Sequence, residues 1–201
     1  MCLICAVISA TVHAKQVNIT APATAVVCAA CHGEHGQSPR EDWPNLAGQH
    51  AEYILKQLHA FRAGKKRFSA VMQPMISGLS EQTMLELAVF YSQQPLALVK
   101  QSTANIHGRE IYLHGDRTHG IPACIACHGP TGQGNAPAGF PVLSGQKKDY
   151  TIMQLLAFQQ KTRRNDLRGI MQDIAANMTT EDINDVAIYL AGLKVKTENK
   201  E

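Results

Sequence analysis

Two short runs hold the side chains best placed to do chemistry: Cys28-Ala29-Ala30-Cys31-His32 and Cys124-Ile125-Ala126-Cys127-His128. Thiols at i and i+3 fall within one helical turn, so both can add to the two vinyl groups of a single porphyrin. The imidazole of the next residue then reaches the iron from the same face. This is the attachment spacing of a c-type haem. A zinc site made from two such thiol pairs ordinarily separates them by ~15–20 residues, whereas 92 residues lie between Cys31 and Cys124. A thioredoxin-like dithiol calls for a βαβ setting, and the periodicity around both runs is helical. A disulfide within each pair would leave both histidines unexplained. Two covalently attached haems c, each with one iron, are the expected cofactors.

The chain also repeats itself. Gly33, Gly36-Gln37 and Trp43-Pro44-Asn45-Leu46-Ala47-Gly48-Gln49 follow the first motif. Gly129, Gly132-Gln133 and Phe140-Pro141-Val142-Leu143-Ser144-Gly145-Gln146 follow the second. Farther on, Tyr53, Gln57, Leu58 and Phe61 match Tyr150, Gln154, Leu155 and Phe158. The offset drifts from 96 to 97 and then 99, as short loop insertions would cause.

A low-spin electron-transfer haem needs a second axial ligand, and methionine opposite histidine raises the potential. The candidates are Met72, Met75 and Met84 in the first copy and Met153, Met171 and Met178 in the second. Met72 lies eight residues before Ser80, and Met171 eight before Thr179, so these two alone coincide in the repeat. The expected iron ligands are therefore His32 with Met72 and His128 with Met171. His35, His50, His59, His107, His114 and His119 have no counterpart in the other copy and are read as surface or structural residues. Pro44 and Pro141 sit twelve and thirteen residues after the ligating histidines. A proline carbonyl there could accept the N–H of the non-ligating imidazole nitrogen, fixing its tautomer. Lys66-Arg67 and Arg163-Arg164 also coincide, with two readings open: partners for haem propionates, or a solvated charged face.

These residues need a scaffold, and its pattern is all-α. Short helices should carry the motifs over Thr24–His32 and Ala123–His128. Longer ones should span Gln49–Ala63 and Gln146–Gln160, where apolar residues recur at i, i+3 and i+4. A final helix in each copy should start at the N-caps Ser80 and Thr179 and run to about Ser92 and Ala191. An extra helix, Asn105–His114, leads the second copy. The expected domains are 15–95 and 105–196, joined by a linker at 96–104, each wrapped around one haem. Aromatic residues make up only 5% of the 201-residue chain, so two small domains would have thin cores without a cofactor to fill them. The net charge is +3, and basic residues form no block: 8 basic and 6 acidic side chains in 15–100, 11 and 10 in 101–201. Nucleic-acid binding has no support in that distribution.

Residues 1–14 carry no Lys, Arg, Asp or Glu and end in Val12-His13-Ala14, like the apolar core and small-residue cleavage site of a secretory leader. They are too short to span a bilayer, and no positive residue precedes them. Export with cleavage after Ala14 would remove Cys2 and Cys5 and leave the four motif cysteines.

Taken together, the chain resembles the dihaem cytochrome c4 family, built from two class I cytochrome c domains. The resemblance covers roughly Ala21 to Leu193. It rests on both Cys-x-x-Cys-His motifs, the P-x-L-x-G-Q segments, Phe61-Arg62-Ala63-Gly64, Ile121-Pro122-Ala123-Cys124 and the two methionines. It implies a periplasmic protein with His/Met-ligated haems, His32 with Met72 and His128 with Met171. It also implies redox partners: electrons would come from a quinol-oxidising cytochrome bc complex and go towards a terminal oxidase. A loose association with the membrane is compatible with that role. The second copy departs from the first in having Gln159-Gln160 where the first has Arg62-Ala63. With both sixth positions filled, an electron carrier is expected rather than an enzyme. The competing roles are an electron-accepting subunit of a flavoprotein sulfide dehydrogenase and a haem enzyme acting on sulfur compounds or peroxide.

Overall fold

The computed structural model describes residues 21–96 and 105–193. The expected leader and nearly all of the expected linker lie outside them. Nine α-helices make up the described chain: α1 (Ala25–His32), α2 (Ala51–Ala63), α3 (Met72–Ser77), α4 (Glu81–Ser92), α5 (Ile106–His114), α6 (Ile125–His128), α7 (Lys148–Gln159), α8 (Ile170–Ala176) and α9 (Thr180–Gly192). Among the described residues, β-structure is limited to two isolated bridges, Asp116 with Ile121 and Asn135 with Phe140.

The two copies use the same plan. In the first, α2 packs on α3 and α4; in the second, α7 packs on α8 and α9. Ile54, Leu87, Ala88, Phe90 and Tyr91 form the N-terminal core with Ala25 from the motif helix. The C-terminal core joins Ile111 and Tyr112 of α5, Leu155 of α7 and Ile183, Val186 and Leu190 of α9. The helix ends follow their caps. Ser80 accepts the Thr83 N–H, and Thr179 forms a full capping box with Asp182. Replacing Thr179 by Ala should therefore cost about 1 kcal/mol, measured as a lower Tm of the C-terminal domain.

Two helices escaped the periodicity reading: α3, and α8 with the 3₁₀ turn Leu167–Gly169 before it. Each has fewer than eight residues, too short for a hydrophobic period to register. Pro74 is the third residue of α3, in the first turn, where a missing N–H costs nothing.

Helix α5 crosses α9 at close range. A Cβ on Gly108 would run into the backbone carbonyl of Asp185, so only glycine lets the two helices approach this closely. Tyr112, one turn farther along, is fully buried beside Tyr189 and donates its O–H to the Gly129 carbonyl at the end of α6. Gly108→Ala should force the helices apart and destabilise the C-terminal domain by about 1–3 kcal/mol. Thermal unfolding would show this, and an unchanged Tm would contradict the packing described.

The same corner responds to pH. Burial alone would raise the Asp182 carboxyl, but the Thr179 N–H and His107 hold it below the ordinary carboxylate range. The bond to Asp182, 2.8 Å long, raises His107. Stability from the depressed carboxylate is present above pH ~4 and lost as pH falls through its folded pKa. Stability from the raised histidine is present below pH ~6.5 and lost as pH rises through its folded pKa. The Tm difference between wild type and Asp182→Ala should thus be widest between roughly pH 4 and 6.5.

Candidate haem centres

Both motif helices end on the histidine. A glycine with positive φ, Gly33 (79°) or Gly129 (75°), then turns the chain away. That turn brings the loop prolines to the imidazoles. His32 Nδ1–H donates to the Pro44 carbonyl at 2.9 Å, and His128 Nδ1–H to the Pro141 carbonyl at 3.0 Å. A carbonyl only accepts, so the proton sits on Nδ1 and the Nε2 lone pair stays free for a metal. Burial pushes both imidazoles below the ordinary histidine pKa, so they are neutral at pH 7, as ligation requires. All four motif cysteines are free thiols and half-buried. Burial raises Cys28 and pushes Cys124 up to about 11. The residues fit a thioether-linked porphyrin: two reduced thiols and one oriented neutral imidazole in each domain.

The methionines separate by environment. Met84 and Met178 are 0% and 5% exposed and are used up in core packing. Met75 and Met153 are 51% and 50% exposed. Met72 and Met171 are half-buried, at the first residue of α3 and the second of α8. Upstream side chains fix both starts: Ser69 Oγ accepts the Met72 N–H at 3.1 Å, and Asp166 Oδ2 accepts the Met171 N–H at 2.8 Å. Ser69 and Asp166 were not singled out from the sequence; a serine three residues before a helical N–H is a capping signal that could have pointed to the first.

Five of the unmatched histidines, His35, His59, His107, His114 and His119, are exposed, and His50 is half-buried at the N-cap of α2. Arg62 and Gln159 turn out to do the same job. Arg62 donates to the Leu79 carbonyl and Gln159 to the Met178 carbonyl, each tying the end of the long helix to the turn before the last one.

The coinciding arginines correct one expectation. Lys66 and Arg164 are exposed, as a solvated face would be, but Arg67 and Arg163 are each only 6% exposed. They lie in a seam between the domains and are held by the opposite copy. Arg67 donates to Tyr150 Oη (2.8 Å) and Gln154 Oε1 (3.1 Å); Arg163 donates to Tyr53 Oη (2.8 Å). The proline loops meet in the same seam. Asn45 N–H donates to Gln146 Oε1 at 2.8 Å, while Gln49 both donates to Val142 O and accepts from Val142 N–H at 2.9 Å. The pairing of Tyr53 with Tyr150 and of Gln57 with Gln154 was visible as a repeat, but nothing local assigned it to a seam.

Two all-α domains with this imidazole geometry define a two-domain c-type cytochrome. The cytochrome c family model matches the chain twice, at residues 21–100 and 107–194. Cytochrome c4 of Pseudomonas aeruginosa is 39% identical over 184 residues, 90% of each chain. The crystal structure of reduced recombinant cytochrome c4 from Pseudomonas stutzeri superposes with a TM-score of 0.80 at 38% identity, covering 84% of this chain and 94% of that one. A thiosulfate dehydrogenase electron acceptor of Stutzerimonas stutzeri is 37% identical over 177 residues, 86% of this chain and 81% of its own. The chain belongs to the cytochrome c family, in its dihaem cytochrome c4 branch, and binds two haems c covalently. It is an electron carrier.

Proposed function

We propose that the chain is a periplasmic shuttle that takes electrons from a quinol-oxidising cytochrome bc complex and passes them to a terminal oxidase. In this reading Cys28 and Cys31 anchor one haem, with His32 and Met72 on its iron. Cys124 and Cys127 anchor the other, with His128 and Met171. What supports it is a duplication: each domain has a proline-held imidazole with free Nε2 and, at the same repeat position as the other domain, a half-buried methionine. With His32, Met72, His128 and Met171 as ligands no position would be left for substrate, and the haems would supply one-electron redox chemistry while the protein sets their potential and docking. No helix among the described residues is long and apolar enough to cross a membrane.

The formal charge of +3 is offset by four ionised propionates to about −1 when both irons are ferrous. Electron transfer should therefore depend only moderately on salt, with steering from local patches. Stopped-flow mixing tests the reading. The ferric protein should be reduced rapidly by the bc complex and the ferrous protein reoxidised rapidly by the oxidase. Alone, it should bind carbon monoxide poorly and turn over little peroxide, thiosulfate or sulfide. A second reading, electron acceptor for a thiosulfate dehydrogenase, is favoured by the relative of that name. Faster reduction by such a dehydrogenase than by the bc complex would move the assignment to it.

A further inference from the structure

Tyr91, on α4, is 1% exposed, and its Oη has no hydrogen-bond partner among the described residues. A buried hydroxyl without an acceptor is costly, and the repeat shows that the fold does not require one here. The Tyr91 carbonyl accepts the Gly48 N–H at 2.9 Å, and in the second copy the Leu190 carbonyl accepts the Gly145 N–H at 3.2 Å. Tyr91 and Leu190 also stand at the same distance past their caps, Ser80 and Thr179. Leu190 is thus the structural equivalent of Tyr91, buried and wholly apolar. Tyr112, the fully buried tyrosine of the second domain, donates its O–H to the Gly129 carbonyl. Of these three residues, only Tyr91 buries an O–H without an acceptor.

The ring is held still. A Cβ on Gly36 would sit 2.8 Å from Tyr91 Cδ1, and Phe90 packs edge-on against the ring with centroids 5.0 Å apart. So held, the hydroxyl faces Cys28, which packs on the same core cluster. Burial, and then the Cys28 thiol beside it, push the phenol well above its ordinary range. Burial likewise raises Cys28, and the Tyr91 hydroxyl, a donor to the sulfur, opposes that rise. As a thiol, Cys28 gives its hydrogen to the Thr24 carbonyl at 3.7 Å. Thioether formation changes this arrangement. The S–H adds across a vinyl double bond: the sulfur bonds to one carbon, the hydrogen goes to the other, and no electron is gained or lost overall. A thioether sulfur has no hydrogen to give and can only accept, and the buried O–H beside it has no other acceptor.

We infer that Tyr91 donates its O–H to the thioether sulfur of Cys28, and that it is a positioning residue, acting through Cys28, that sets the N-terminal haem apart from the C-terminal one. A donor at that sulfur draws electron density away from the porphyrin substituent. This favours ferrous iron and raises the potential of that centre, the lever being a hydrogen bond outside the axial ligands. Leu190 has no donor to offer the second centre, so the effect is confined to one domain. The inference rests on the proposed attachment through Cys28 and is independent of which redox partners the protein serves.

The test uses the protein with both haems attached, in the diamagnetic ferrous state. The Tyr91 hydroxyl proton should appear in nuclear magnetic resonance as a slowly exchanging signal, with Overhauser contacts to the thioether methine and methyl protons at Cys28. If those thioether protons are present but the hydroxyl contact is not, the inference fails while the attachment stands. If no thioether protons are found at Cys28, the attachment itself fails and takes the inference with it. Tyr91→Phe supplies the second readout, since it removes one oxygen and keeps the ring, and Leu190 shows that an apolar side chain is tolerated at this place. In a redox titration that follows each centre through its own haem methyl resonances, the N-terminal midpoint should fall and the C-terminal midpoint should stay where it is. If Tyr91 only fills the core, neither midpoint will move. That result, or an equal shift of both midpoints, sinks the proposal.

Discussion

Cys28→Ala/Cys31→Ala should yield a protein with one haem instead of two and an N-terminal domain that no longer folds. The reason lies in the size of the core. Beside Ala25, the buried cluster of that half consists of Ile54, Leu87, Ala88, Phe90 and Tyr91, with Cys28, Leu46 and Leu58 packed against its edge and Ile76 and Met84 also buried. A domain of fewer than about 80 residues rarely holds together on such a core without a staple, and the porphyrin supplies both apolar mass and a covalent tie between α1 and the rest. Intact mass should fall by one haem. Limited proteolysis should digest the first half while leaving a resistant fragment that starts near Asn105, because the C-terminal core has its own cluster of eight buried residues and an additional helix. A variant that keeps both haems, or a one-haem variant whose N-terminal half resists protease like wild type, would refute this account.

Met72→Ala and Met171→Ala should each open one iron and leave the other untouched. The ferric protein should lose about half of its near-infrared sulfur-to-iron band in either variant and all of it in the double variant. Each opened iron should gain affinity for cyanide or imidazole, and its potential should fall, because methionine opposite histidine is the high-potential combination. Met75→Leu serves as the control. Its side chain is half exposed and three residues from Met72, so the band should be unchanged. Should Met75→Leu abolish half of the band while Met72→Ala does not, the ligand in the N-terminal domain has been misassigned.

What could be read from the chain alone was whatever depends on short-range geometry. Two thiols and an imidazole within one turn define haem attachment wherever that turn sits in the fold. The Ser80 and Thr179 caps act on N–H groups three residues away, so their helices begin where the residue types say. The twelve- and thirteen-residue reach from His32 and His128 to Pro44 and Pro141 was legible because it occurs twice. Short helices such as α3 and α8 were not, since their starts depend on Ser69 and Asp166 rather than on a hydrophobic period.

The tertiary structure alone decided the fate of the charged residues. Arg62 and Gln159 differ in charge yet reach equivalent carbonyls seventeen and nineteen residues away. Arg67 and Arg163 look like any surface pair in sequence, but their hydroxyl partners, Tyr150 and Tyr53, are 83 and 110 residues distant. Burial is a property of what packs on a residue, and here that is a second copy of the same fold. No local pattern encodes how two copies meet, so the seam that brings the two haem-binding loops together emerges only when both domains are folded against each other.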